Sequence, residues 1–94
     1  MAYRVEFAPR AERQFEKLPR QIQVRLKAHI DALADDPRPP RVERLSGQEE
    51  LCRIRVGDYR VIYVIEDDVL LVLVVGVGHK RDIYRLIFRR GHVP

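Results

Sequence analysis

Three arginines bracket the dipeptide Gly57-Asp58: Arg53 and Arg55 before it and Arg60 after it. Apolar residues alternate with them on both sides, so the two stretches read as paired strands, and Gly at the first turn position suits a two-residue type II′ loop. That loop sets Val56 opposite Tyr59, Arg55 opposite Arg60 and Arg53 opposite Ile62. Like charges directly opposite are unfavourable by some tenths of a kcal/mol unless an anion lies between them. Guanidinium groups bind phosphate through planar, bidentate contacts, so the chemistry expected of this face is phosphate recognition. A second two-residue turn at Asp67-Asp68 would put Val75 opposite Arg60. Val77 and His79 would then continue on the arginine face, with Lys80 and Arg81 just beyond. Separate stretches of chain thus converge on one end of one sheet face.

The elements that must position these groups are legible on either side. Tyr3, Val5 and Phe7 alternate with Arg4 and Glu6, as in a half-buried strand. Pro9 suits a first helical turn, and Ala11, Phe15 and Leu18 recur at helical spacing before Pro19. Ile22, Leu26, Ile30 and Leu33 mark a second amphipathic helix, stopped before Asp36-Pro37. Pro37 to Gly47 is expected to be an extended crossing loop. Three strands follow, Leu51 to Val56, Tyr59 to Glu66 and Val69 to Val77, and then a short helix from Asp82 to Arg90. The fold class expected is α+β, a helical hairpin packed on one face of a mainly antiparallel sheet. Cys52, Ile54, Val56, Tyr59, Val61, Tyr63 and Ile65 form its core side. Leu51, Ile62, Val64, Leu71, Leu73 and Val75 share the arginine side, an apolar patch that a C-terminal helix or a partner protein must cover.

Composition narrows the class of protein. Ninety-four residues make one domain, 1–94, and 46% hydrophobic with 34% charged residues is ordinary for a soluble globular chain. The longest apolar run, Val69 to Gly78, is about half of the ~20 residues a membrane helix needs, and the N-terminus lacks a signal-peptide pattern. Membrane association is not expected, and the cytoplasm is the expected location. One cysteine, Cys52, permits neither an internal disulfide nor a cysteine-based zinc site, and its inward parity suits a small buried hydrophobe. Asp67-Asp68 offers too few convergent ligands for a metal, so neither metal nor cofactor is expected. Eighteen Lys and Arg stand against fourteen Asp and Glu, a net +4. From His79 onward five cations face one acid, so that excess is confined to the C-terminus.

With these residues in place the chain resembles the RelE/ParE toxin superfamily of type II toxin–antitoxin modules. The resemblance runs from Tyr3 to about Arg85. It is carried by Phe7-Ala8-Pro9-Arg10-Ala11, Lys17-Leu18-Pro19, Arg44-Leu45-Ser46-Gly47, the stretch Arg53 to Tyr63 and the stretch Val77 to Arg85. For the RelE branch it implies a ribosome-dependent, metal-independent endoribonuclease that cuts mRNA in the A site by 2′-OH attack. It also implies a cognate antitoxin, RelB-like or of another class, and operator DNA bound only through the antitoxin complex. The family's basic pair falls on Arg53 and Arg55, its hairpin arginine on Arg60, its basic residue after the last strand on Lys80 or Arg81, and its tyrosine on Tyr84. Arg replaces Lys at Arg53 and Arg55, and arginine is a poor general base.

On that basis Arg55 and Arg60 are expected on the scissile phosphate, with Arg53 on a flanking one. His79 is the nearby group that titrates near neutrality and would act as acid or base. Lys80 or Arg81 would stabilise or protonate the leaving oxygen, and Tyr84 would stack on a base or transfer a proton. Arg44, Arg53 and Arg85 are the expected RNA contacts. The alternative is a ParE-like DNA gyrase inhibitor on the same fold without nuclease chemistry. A third reading is a decayed toxin kept as an antitoxin-binding corepressor.

Overall fold

The computed structural model describes residues 2–45 and 51–83, and these build two helices on a five-stranded sheet. Strand β1 (Arg4–Phe7) leads into α1 (Pro9–Glu16) and α2 (Arg20–Ala32); β2 (Glu43–Arg44), β3 (Leu51–Val56), β4 (Tyr59–Glu66) and β5 (Leu71–His79) follow. Their order across the sheet is β1-β5-β4-β3-β2. Only β1 and β5 run parallel; every other neighbouring pair is antiparallel. The helical hairpin and three-strand meander expected from the hydrophobic periodicity are both present. The expected helix Asp82–Arg90 lies almost entirely outside the described residues.

Prolines punctuate the helices. Pro9 occupies the first turn of α1, where its missing N–H breaks no bond. Pro19 precedes α2, and the Gln23 side-chain amide donates to the carbonyls of Glu16 (3.2 Å) and Leu18 (3.0 Å), satisfying acceptors the junction would otherwise leave open. The helices bury Ala11, Leu26 and Ile30 against Cys52, Ile54, Val56, Val61, Tyr63, Ile65, Val72, Val74 and Val77. Cys52 is one of these buried apolar groups, 3% exposed and reduced. Ile62 on the opposite sheet face, and Ile83, are also closed to solvent but lie outside that cluster.

Two departures from the sequence reading set where the site residues point. The β4–β5 connection is not a two-residue turn: Asp67–Val69 form a short 3-10 turn, Leu70 adopts φ +52°, and Glu66 pairs with Leu71. The longer loop shifts the register by two, which leaves every side chain on its expected face. The second departure is a bulge. Tyr63 pairs with Val74 but Ile62 with Gly76, so Val75 is the extra residue. One inserted residue exchanges faces for everything beyond it. Val77 therefore sits in the core opposite Val61, and Gly78, not Val75, faces Arg60. Past the end of β1 the Val77 amide has no neighbouring strand, and it donates instead to the Gln14 side-chain carbonyl of α1 (2.9 Å). A smaller difference is that the crossing loop contains the two-residue strand β2.

The start of the crossing loop is pinned through Pro37 and Arg38. Tyr63 donates its hydroxyl to the Pro37 carbonyl (2.8 Å) in the interior, and Tyr3 donates to Asp67 Oδ1 (2.7 Å) at the surface. Arg38 forks onto the same carboxylate, its Nη2 lying 2.9 Å from Oδ2. Asp67 thus ties the crossing loop and the β1 entrance to the β4–β5 turn. Hydrogen bonds from Arg38 and then Tyr3 hold its carboxyl below the usual range, and the Tyr3 phenol is raised because it donates to a carboxylate. A depressed folded-state carboxyl contributes stability above its unfolded pKa and loses it as pH falls through the folded value. Asp67→Asn is therefore expected to lower the thermal midpoint at neutral pH, with the difference from wild type closing between roughly pH 5 and pH 2. Melts of both proteins across that range test the assignment; a gap that persists in acid would refute it.

Candidate functional site

The β3–β4 hairpin closes on Gly57-Asp58 with Val56 opposite Tyr59, Ile54 opposite Val61, Arg55 opposite Arg60 and Arg53 opposite Ile62. Gly57 has φ +61° while Asp58 stays at negative φ, the signature of a type II′ turn. The positive φ is what calls for glycine here; a Cβ would lie 3.3 Å from Nη2 of Arg25 of α2, the movable end of an exposed side chain. In a two-residue hairpin the closing pair exchanges hydrogen bonds, so the next pair, Arg55 and Arg60, is of the non-bonded kind, which brings side chains closest. Arg53, Arg55 and Arg60 accordingly project from one face, the side away from the helices.

A carboxylate stands in this row. Strand β2 places Glu43 directly opposite Arg53, and Arg53 donates to Glu43 Oε1 through both Nε (2.8 Å) and Nη2. Arg55 Nη2 lies 3.5 Å from Glu43 Oε2. The side chain of Arg53 is only 15% exposed against 60% for Arg55, so Arg53 is held and Arg55 is presented. Arg53 above all, with the fields of Arg55 and Arg60 adding to it, pulls the Glu43 carboxyl below its usual range and keeps it ionised at neutral pH.

Arg60 is held differently. Its Nη1 donates to the carbonyls of Gly57 (3.0 Å) and Tyr59 (2.9 Å), folding the guanidinium back over the turn. No carboxylate among the described residues comes within ion-pair distance of it. Partial burial first, then Arg55 and Arg53, lower its pKa, as expected for a cation short of counter-charge. The result is a fixed positive group whose Nε and Nη2 have no hydrogen-bond partner among the described residues. Gly76 and Gly78 lie opposite Ile62 and Arg60, so β5 offers no side chain beside this group.

The other expected site residues divide. Because of the bulge His79 pairs with Tyr59 and shares its face, the two rings meeting edge-on with centroids 5.4 Å apart. It points away from the arginine row, and its Nδ1 accepts from the Arg81 amide (3.1 Å). Lys80 returns to the hairpin tip: its amide donates to the Asp58 carbonyl (2.7 Å) and its Nζ lies 3.5 Å from Asp58 Oδ1. Arg81 follows, exposed at the same end of the sheet. Arg44 pairs with Cys52 on the helix side of β2 and so faces away from Arg53. Tyr84 and Arg85 lie outside the described residues. Glu43 is the functional candidate that the pattern of strands and helices did not reveal. The available signal was charge balance, because two arginines facing each other need a counter-ion and Glu43 is the only acid between Pro37 and Leu45. No group of three or more metal-ligating side chains occurs among the described residues, and no helix among them is long and apolar enough to cross a membrane.

Comparison with known proteins identifies the family. The family described as ParE toxin of type II toxin–antitoxin system, parDE, matches residues 5–84. A RelE-like toxin protein of Escherichia coli is 30% identical over 94 residues, covering 96% of this chain and 98% of its own. Toxin RelG of Mycobacterium tuberculosis is 36% identical over 89 residues, covering 90% and 99%. The fold superposes on the archaeal RelE–RelB complex from Pyrococcus horikoshii with a TM-score of 0.75, 28% identity and coverage of 85% and 97%. The chain carrying this arginine hairpin belongs to the RelE/ParE superfamily, as a RelE-type toxin of a type II toxin–antitoxin system.

Proposed function

We propose that this toxin is a ribosome-dependent, metal-independent endoribonuclease that cleaves mRNA in the A site and is neutralised by a RelB-like antitoxin. The observation that carries the reading is the Arg55–Arg60 pair, two guanidinium groups opposed across a hairpin, one fixed by backbone carbonyls and without an acid partner among the described residues. Such a pair is unfavourable alone and suits a dianionic phosphorane. The antitoxin part rests on relatives solved as toxin–antitoxin complexes, among them the intact Escherichia coli RelBE complex, of TM-score 0.75.

In the proposed reaction the 2′-oxygen attacks the adjacent phosphorus, a P–O bond to the 2′-oxygen forms and the bond to the 5′-oxygen breaks. The products are a 2′,3′-cyclic phosphate and a 5′-hydroxyl. Arg60 and Arg55 take the two non-bridging oxygens. Glu43 is the group in the row able to accept the 2′ proton, since arginine is a poor base and His79 faces the other side. Arg53 then serves by holding Glu43, and not as a contact to a flanking phosphate. Lys80 or Arg81, with Tyr84, delivers positive charge and a proton to the departing 5′-oxygen. Glu43 is ionised well below neutrality, so its protonation limits cleavage only in acid, below the ordinary carboxylate range.

Induction of the toxin without its antitoxin is expected to stop growth and to create new mRNA 5′ ends within translated codons. Arg60→Ala should reduce cutting about 10²–10³-fold, and Glu43→Gln about 10²–10⁴-fold with ribosome affinity kept. Full cutting by either variant would remove that residue from the mechanism. The second reading, a gyrase inhibitor, is favoured by the match to the ParE family description. It predicts intact mRNA ends and a block of gyrase supercoiling by the purified toxin, so the two assays on one preparation separate the readings.

A further inference from the structure

The crossing loop leaves a groove of about 400 Å³ against the outer edge of β3, walled by Leu33 just after α2, Pro39 of the loop and Ile54 of β3, with Asp36, Arg41 and Arg55 around it. That volume lies within the range of about 300–1,000 Å³ typical of small-molecule sites. The backbone along its margin is open. Val56 and Tyr59 form the bonded closing pair, so the Arg55 N–H and C=O point outward, toward the side where β2 would lie. Strand β2 reaches only as far as Arg53, which leaves this donor and acceptor without a strand partner among the described residues. Arg55 therefore belongs to two places at once. Its guanidinium stands in the phosphate-binding row and its backbone borders the groove.

We infer that the groove is a nucleobase site, holding the base of a nucleotide whose phosphate lies on the Arg55–Arg60 pair. The inference rests on the nuclease reading for that phosphate. The chemistry fits a base in three ways. Proline rings and apolar side chains give flat walls, and the guanidinium group of Arg41 can stack on an aromatic face. An exposed strand N–H and C=O complement the paired donor and acceptor found on a base edge. The Asp36 carboxylate accepts from ring N–H and amino donors, which gives the groove a means of telling bases apart. A purely apolar protein side chain would use the walls but neither the open backbone pair nor the charges of Asp36 and Arg41.

The test uses the full chain and a short 2′-O-methyl RNA that cannot be cut, compared with the same RNA made abasic at one nucleotide at a time. Wild type is expected to prefer the intact RNA over one abasic form by about tenfold, the scale of one stacked base. Ala32→Phe, which fills the groove from α2, should bring that ratio close to one, and Arg41→Ala, an exposed change that serves if the first variant does not fold, should lower it severalfold. Arg60→Ala should weaken all the RNAs equally and leave the ratio intact. The inference is overturned if wild type does not discriminate, if it binds none of the RNAs, or if the ratio survives both groove variants. It is overturned equally if those variants weaken binding of the antitoxin while RNA binding is unchanged, which would make the groove a protein contact. A preserved ratio in a toxin that cuts no mRNA would defeat the nuclease reading alone, and normal cutting with no ratio would defeat the groove alone.

Discussion

Coulomb repulsion between Arg55 and Arg60 is the constraint around which the site is arranged. A sheet gains nothing from two guanidinium groups set opposite one another at its closest kind of pairing, yet the turn and both strands hold them there. Glu43 relieves part of the repulsion through Arg53 and Arg55, and the carbonyls of Gly57 and Tyr59 fix Arg60 without neutralising it. Positive charge that costs stability in the free protein becomes favourable once an anion arrives. Groups oriented in advance need no rearrangement as charge develops on a phosphorane, which is why such donors accelerate reactions so strongly.

The rest of the fold keeps this arrangement rigid. The helices and one face of the sheet supply most of the apolar burial, and the hairpin end of the other face carries the charge. Gly57 permits the tight turn, and Arg25 of α2 closes against it from the helix side. The bulge at Val75 places Val77 in the core and two glycines on the site face, so that the strand beside Arg60 carries no side chain into its path. Gln14 repairs the backbone where β1 stops short. The site is therefore built on strands and a two-residue turn, whose geometry is far more constrained than that of a long loop.

Much of this was legible in the sequence because alternation and turn chemistry are local. Arg53, Arg55 and Arg60 were placed on one face by Gly57-Asp58 alone, and the pairing came out residue for residue. The core face of β3 and β4 followed from the same parity. What was not legible depended on contacts between distant segments. Asp67-Asp68 resembles a tight turn, and nothing in those two residues signals a 3-10 turn closed by Leu70 in the left-handed region. The bulge falls where β5 runs past the end of β1, a meeting of distant segments, and it puts His79 on the other face. Strand β2 has two residues inside a proline-rich loop, too short for any period to register, so Glu43 went unseen. The likeness to a toxin superfamily added roles for residues that geometry alone could only gather.

The most direct measurement is the salt dependence of binding to a non-cleavable RNA or to ribosomes carrying mRNA. Each phosphate contact on a single strand contributes a slope of about −0.7 in log affinity against log salt. Replacing Arg55 or Arg60 by alanine should each flatten the slope by about that amount, whereas Arg44→Ala, on the opposite face, should leave it where it was. Slopes that are unchanged when Arg55 and Arg60 are both removed would contradict the claim that this hairpin grips phosphate.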